Sequence, residues 1–393
     1  MDNYGTTETA KQYMKSVLKN VFLTSWLTDV TNQDYENPSS MGDKSIKAKN
    51  QSFTVTSLFS NGWSSYSGSD LTFAEVKEVV STLTIDTFNK VAEKIPSLSI
   101  FASSVKNPLS PVMQSQTEKL KVLLAKEFLK SVVDAGAGNW IGTDYTTGTV
   151  EVAATTGLVT GTGTTFTAAM VGRPFRVAGH TKWYRVASRS SNTSIVIEND
   201  SDDTATSYDG GAISAGATYT LQCNTKVSVT SATIAGKLAL MSQVLDNASY
   251  GDNDETTVPQ NDRFVFLPAT AKSVLLQAPE FNVDIEKVHD ATVKEGKVAR
   301  AYGMDIYIVK DAFFKQIDGT TAGDNTTGFA CPFGQKSWLT FGMGFVDPVV
   351  VIPASQNQTN FGDLIKGMFG HGKKVADIRR HCGGVLYATF SVS

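Results

Sequence analysis

The sequence is short of charge and of cysteine, and it has no long apolar run. Charged residues occupy 19% of 393 positions, below the ~25% usual in soluble domains. Lys plus Arg total 35 against 38 for Asp plus Glu, a net charge of -3. That balance lacks the basic excess a free nucleic-acid-binding protein needs. No apolar stretch approaches the ~20 residues of a membrane span; Val349 to Ile352 is stopped by Pro348 and Pro353. The first twenty residues hold Asp2, Glu8 and three lysines and lack the apolar centre of a signal peptide. Cys223, Cys331 and Cys382 are far apart and never spaced as C-x-x-C. A disulfide framework and a zinc knuckle are both unsupported. The cysteines read as partly buried thiols in a protein made in a reducing cytoplasm.

Chemical signatures are equally scarce. His180, His289, His371 and His381 show no H-E-x-x-H spacing, and no G-x-S-x-G elbow occurs. Asp252, Asp254 and Glu255 cluster in GDNDET but lack the frame of a calcium loop; they read as an exposed acidic loop. Gly367 to Lys373 fits the phosphate-loop spacing G-x-x-x-x-G-K, yet Lys374 stands where a Ser or Thr should hold magnesium. No helix start follows to receive a phosphate, so the segment reads as a glycine-rich turn between strands. No catalytic residue, cofactor or metal is expected, and the chain is not expected to be an enzyme.

What is present is a hydrophobic share of 41%, enough for a core, with 32 glycines and abundant Ser and Thr. A length of 393 residues suggests two or three domains at ~150 residues each. So few surface charges suggest a surface largely covered by other protein.

Along the chain, residues 1–50 are polar, with six acidic and six basic side chains, and read as an extended arm with little core of its own. In SFTVTSLFSNGWSSYSGSDLTFAEV, Phe53 and Val55, then Leu71 and Phe73, sit at strand spacing around a tip with Trp63 and Tyr66. This predicts a long β-hairpin over 51–76, which would not be stable alone in water and should lie on a neighbour. An extended stretch, Ser81 to Ile95, follows. A helix is predicted over 111–135. Ser110 would cap it, Pro111 would open it, Leu120, Leu124, Phe128 and Val132 with Leu123 and Val133 would form its stripe, and Gly136 would end it.

The composition then changes. Over 141–222 the pairs Val150/Val152, Phe175/Val177, Tyr184/Val186 and Ile195/Ile197 mark short strands between Gly, Asn and Asp clusters. This predicts a self-contained β-sandwich or barrel spliced into the chain. A helix at 231–247 with Ile234, Leu238, Met241 and Leu245 inward is next. A strand at 264–267, a turn at Pro268, a helix, a charged stretch at 284–300 and a strand at 304–309 follow. The closing part, WLTFGMGF, PVVVIPA and GGVLYATFSVS, is strand-rich. The body is therefore α+β.

This order of elements resembles the major capsid proteins of tailed bacteriophages, the Hong Kong 97 type of fold. The strongest local match is VPQNDRFVFLPATAKSVLL, Val258 to Leu276, similar to the family's strand–proline–helix unit. GKVARAYGMDIYIVKD, Gly296 to Asp311, resembles a following strand, and KGMFGHGKKVADIRRHCGGVLYA resembles the closing strands. The resemblance implies an N-terminal arm at 1–50 and an extended loop at 51–76. It implies a peripheral domain at 77–140 and 326–393 with its spine helix, and an axial domain at 223–325, the β-module lying outside the pattern. It implies a virion protein, assembled in the host bacterial cytoplasm, that forms hexamers and pentamers of an icosahedral shell. Its partners would be itself, scaffolding and portal proteins, a decoration protein and packaged double-stranded DNA held without sequence specificity, with no membrane.

Phe53, Phe59, Trp63, Tyr66, Leu71 and Phe73 would make the inter-subunit contacts of the loop. Some relatives crosslink a loop lysine to a neighbour; the stretch from Phe53 to Val76 has no lysine, so non-covalent overlap is expected. The sequence starts at Met1, and removal of an N-terminal scaffolding segment is not expected. From Phe361 to Ser393 there are five basic and two acidic side chains. Of these, Lys373, Lys374, Arg379 and Arg380 would face DNA, or else be a solvated strand face. Two other readings stay open: a phage tail or baseplate component, and a carbohydrate-binding or depolymerising β-module protein. A depolymerase needs paired carboxylates, and the module offers Asp144, Glu151 and Glu198.

Overall fold

The computed structural model describes residues 27–36, 46, 50–59, 77–96, 109–134, 137–178, 180, 182–199, 207–248, 257–279, 297–314, 316–317, 328–352 and 362–392. In chain order the elements begin with a short helix α1 (Leu27–Val30), strands β1 (Ser52–Phe59), β2 (Lys77–Thr84) and β3 (Thr87–Pro96), and helix α2 (Leu109–Asp134). Then come β4 (Asn139–Ile141), β5 (Thr143–Tyr145), β6 (Thr149–Val152), β7 (Leu158–Thr162), β8 (Pro174–Val177), β9 (Tyr184–Ser191) and β10 (Ser194–Asn199). Next are β11 (Ile213–Ala217), β12 (Tyr219–Thr225), β13 (Val227–Val229), α3 (Ile234–Asp246), β14 (Arg263–Pro268) and α4 (Thr270–Gln277). The chain closes with β15 (Lys297–Ala301), β16 (Met304–Val309), β17 (Gln316–Ile317), β18 (Gly328–Gln335), β19 (Thr340–Ile352), β20 (Gly362–Lys374) and β21 (Gly383–Phe390). The described residues are mixed α and β, with few helices. They divide into two compact units, one of Met1–Ser57, Val80–Phe128 and Leu339–Lys374, the other of Leu58–Val79, Leu129–Trp338 and Val375–Ser393.

In the first unit, β19, β20 and β3 form an antiparallel sheet. Pro348 lies in β19 where the register shifts between Asp347 and Val350; a bulge tolerates the missing N–H that a regular ladder would not. β1 and β2 pair, but the second strand starts at Lys77, beyond the 51–76 span and the Leu71 and Phe73 predicted for it. Residues 60–76, with Trp63, Tyr66, Leu71 and Phe73, lie outside the described residues, as does the side chain of Phe59.

A small core joins Tyr35, Ile46, Phe53, Val55, Leu83 and Ile85. The Tyr35 and Phe53 rings meet edge-on at 5.2 Å. Two expectations change here. Residues 27–36 are not a coreless arm: Leu27, Val30, Thr31 and Tyr35 are buried, and bridges tie Asn32 to Thr340 and Glu36 to Thr54. Phe53 is 0% exposed, so it fills its own chain's core and is not an inter-subunit contact.

Helix α2 has 26 residues, about 39 Å at 1.5 Å per residue. It begins at Leu109, so Ser110 falls inside its first turn. Pro111 is tolerated there because the first N–H groups lack intrahelical partners. Leu124, Phe128 and Leu129 are buried and Leu120 and Leu123 half-buried. Gly136 and the side chains of Val132 and Val133 lie outside the described residues.

In the second unit, two sheets stand out. The first has the order β11-β6-β7-β10-β9-β8-β12-β5 and is antiparallel throughout. It uses only residues from 143 to 225. All eight residues of the alternating pairs are buried in one cluster with Phe166, Met170, Tyr208, Tyr219 and Leu221. A single sheet that closes on one core must curl.

The second sheet is mixed, in the order β13-β21-β18-β14-β16-β15, with β17 on β18 and β4 on β21. β14 runs parallel to β16 and antiparallel to β18. Every residue of β14 and β18 is buried, as expected of central strands covered on both faces. Ile234, Leu238, Met241 and Leu245 of α3 and Ala271, Val274 and Leu275 of α4 are buried. The sheet mixes strands from both expected body domains: β18 and β21 hydrogen-bond with each other, and β18 also with β14. The division therefore falls at 338/339 and 374/375, not at 326, because backbone ladders bind β18 to β14.

Candidate functional surfaces

The strand–proline–helix segment is built around one cation. Arg263 opens β14 with 2% of its surface exposed. Its Nε donates to Pro259 O at 2.9 Å, its Nη2 to Val258 O at 2.6 Å, and its Nη1 to Asp246 Oδ1 at 2.8 Å. The planar fork thus closes the Val258–Pro259 turn and holds it to the end of α3. Asp311 holds the start of α4: its carboxylate accepts from Thr270 N at 3.1 Å and from Thr270 Oγ1 at 2.5 Å. An acceptor at that end satisfies a free helix N–H and suits the helix dipole. Between β15 and β16 a two-residue turn has Tyr302 at φ 50 and Gly303 at φ 77, the pairing of positive φ values that fits the twist of a tight hairpin.

The phosphate-loop look-alike is neither a cradle nor a turn. Gly367 to Lys373 lies inside β20, paired on one side with β19 and on the other with β3, so its N–H groups serve the sheet. Gly372 is needed for close approach: a Cβ there would lie 2.1 Å from Thr84 O.

His371 of the same strand is buried and stacks on Phe341, with centroids 5.6 Å apart. Its Nδ1 has no hydrogen-bond partner. Burial holds its pKa below the ordinary value of 6.5, Glu127 and Asp86 pull it up, and Lys373 pushes it down.

The four basic residues proposed to face DNA separate. Lys373 is exposed and Lys374 half-buried, at the end of β20. Arg379 is half-buried and Arg380 only 4% exposed. Burial removes Arg380 from any surface a phosphate could reach.

The remaining expected sites are as follows. Cys331 and Cys382 are fully buried, more enclosed than expected, and burial pushes the Cys331 thiol up; the side chain of Cys223 lies outside the described residues, as do Asp252, Asp254 and Glu255. In the curled sheet, Glu198 accepts from Arg185 Nε at 2.6 Å and pairs with its Nη2, which leaves that carboxylate committed. Among the described residues no three His, Cys, Asp or Glu side chains group to hold a metal. Among the same residues no helix is long and apolar enough to cross a membrane.

Sequence reasoning missed the roles of Arg263, His371 and Arg173 (described below). The only signal was a charged or polar side chain inside an apolar stretch, as in VGRPFRV.

No family model matches the chain, and no curated protein matches it. Solved structures do. The chain is similar to the capsid structure of the cyanophage P-SCSP1u at 15% identity and a TM-score of 0.45, over 88% of this chain and 85% of that one. It is similar to the capsid of Ralstonia phage GP4 at 11% identity and a TM-score of 0.48, over 93% and 89%. It is also similar to the cyanophage Pam1 capsid at 11% identity and a TM-score of 0.43, over 91% and 96%.

Proposed function

We propose that this chain is a major capsid protein of a tailed bacteriophage, with a Hong Kong 97-type fold and an inserted β-module at 141–222. It assembles with itself into hexamers and pentamers of an icosahedral shell around double-stranded DNA, in the host bacterial cytoplasm, and resides in the virion. Scaffolding, portal and decoration proteins would join it.

The observation that carries this reading is the β1–β2 hairpin. It is a two-stranded sheet, and Val80 on its return strand is 56% exposed. One face of the ribbon packs on its own chain through Phe53, Val55 and Leu83, which supplies the packing a two-stranded sheet needs, while Val80 stays open to water; a second copy of the chain would cover that open part. In a closed symmetric shell the same contact repeats in every subunit, so modest contacts multiply. The order of hairpin, 26-residue helix and strand–proline–helix unit supports the same reading. Any DNA contact would fall on Lys373, Lys374 and Arg379, acting on phosphates without sequence preference.

Electron microscopy of the expressed protein tests the proposal. Closed shells or hexameric sheets are expected; tubes, rings or fibres would replace it with a tail or baseplate role. Deleting Ser60 to Ser69 should leave a folded subunit that assembles poorly, and normal particles from that variant would remove the loop from assembly.

A further inference from the structure

The curled sheet enters and leaves the mixed sheet through two single residues. Gly142 separates β4 from β5, and Lys226 separates β12 from β13. The flanking strands both run parallel to β21: Asn139–Ile141 beside Gly384–Leu386, and Val227–Val229 beside Ala388–Phe390. Only these two single-residue connectors join the module's sheet to the mixed sheet through the backbone, so a side-chain contact between the two can help set the module's angle.

Arg173 lies just before β8, and its backbone belongs to the module. Its N–H donates to Met170 O at 3.2 Å, and its carbonyl accepts from Val186 N at 3.0 Å. Its guanidinium reaches out of the module. The Cζ atom is 5.3 Å from the Trp140 ring centre and 4.8 Å from that of Tyr387. Trp140 is on β4 and Tyr387 on β21, and their rings stack at 5.5 Å and 7°. Arg173 is 1% exposed, and its Nε and Nη1 have no hydrogen-bond partner. Among the described residues it makes no ion pair. A guanidinium stays charged at any working pH, and burying it without an acceptor is costly. Two aromatic faces supply the compensating attraction.

We infer that Arg173 is a cation–π latch that docks the curled β-module onto Trp140 and Tyr387 of the mixed sheet. The attraction exists only while the module is docked, and water would solvate the guanidinium once it swings away. The latch therefore sets the module's position without holding the module's own fold. This inference is independent of shell assembly.

Hydrogen exchange on the full chain, read by mass spectrometry, tests it. Arg173→Ala should speed exchange about tenfold or more at 139–145 and 224–228, and leave Ile195 to Ile197 in the module core unchanged. Tyr387→Leu should give the same pattern. A change of less than about twofold at the connectors for Arg173→Ala would overturn the inference. So would an equal rise in the module core, because Arg173 would then be an ordinary part of the module's fold.

Discussion

Removing the Arg263 guanidinium should be among the most costly single changes in the second unit. The side chain is 2% exposed and makes three hydrogen bonds. Arg263→Ala strips the partner from two backbone carbonyls, Val258 O in a buried bond and Pro259 O in a part-buried one; an acceptor left unsatisfied costs about 1–3 kcal/mol, the part-buried one at the low end. The Asp246 side chain is 46% exposed, so water takes over its carboxylate and the lost ion pair adds only ~0–1 kcal/mol. The total is about 2–7 kcal/mol, dominated by the carbonyls. Urea unfolding of the unassembled subunit, followed by near-ultraviolet circular dichroism, measures it. Asp246→Asn should cost ~1 kcal/mol or less, and Arg263→Lys an intermediate amount, because one ammonium cannot reproduce the planar fork. If Asp246→Asn proved as damaging as Arg263→Ala, the ion pair and not the turn would be the function of Arg263.

Two further outcomes are expected. Because the folded-state pKa of His371 lies below its ordinary 6.5, the unfolded chain binds more protons as the pH falls through that range. The stability from neutral His371 is complete above about pH 6.5 and declines below it; a melting-temperature series from pH 7.5 to 5 should fall more gently in His371→Phe, and parallel curves would refute this. The double variant Lys373→Glu and Lys374→Glu should lower the heat stability of DNA-filled particles more than that of empty ones. Equal responses would show that the two lysines do not contact the packaged DNA.

Periodicity made much of the fold legible. The pairs from Val150/Val152 to Ile195/Ile197 alternate because one face of a strand meets the core, and all eight are buried. The stripe Ile234, Leu238, Met241 and Leu245 marked the inner face of α3 for the same kind of reason, and the apolar run Met304–Val309 is β16 with those bounds. The glycine spacing at Gly367 to Gly372 suggests a turn, whereas the segment is strand and Gly372 is small because Thr84 O lies close to it.

The sequence by itself determined which side chains are apolar, how they alternate, and where the composition changes near residue 141. Those properties fix local period and burial preference, and they do not depend on distant residues. Only the tertiary structure decided which apolar residues the chain covers itself, as with Phe53, and which remain open, as with Val80. It also decided the work of the buried polar groups. Arg263 closes a turn, Arg173 lies across two rings from other strands, and burial beside Phe341 pushes the pKa of His371 down. A charge or a hydrogen bond is defined by what faces it, and those partners come from segments up to more than two hundred residues apart, as Arg173 and Tyr387 do.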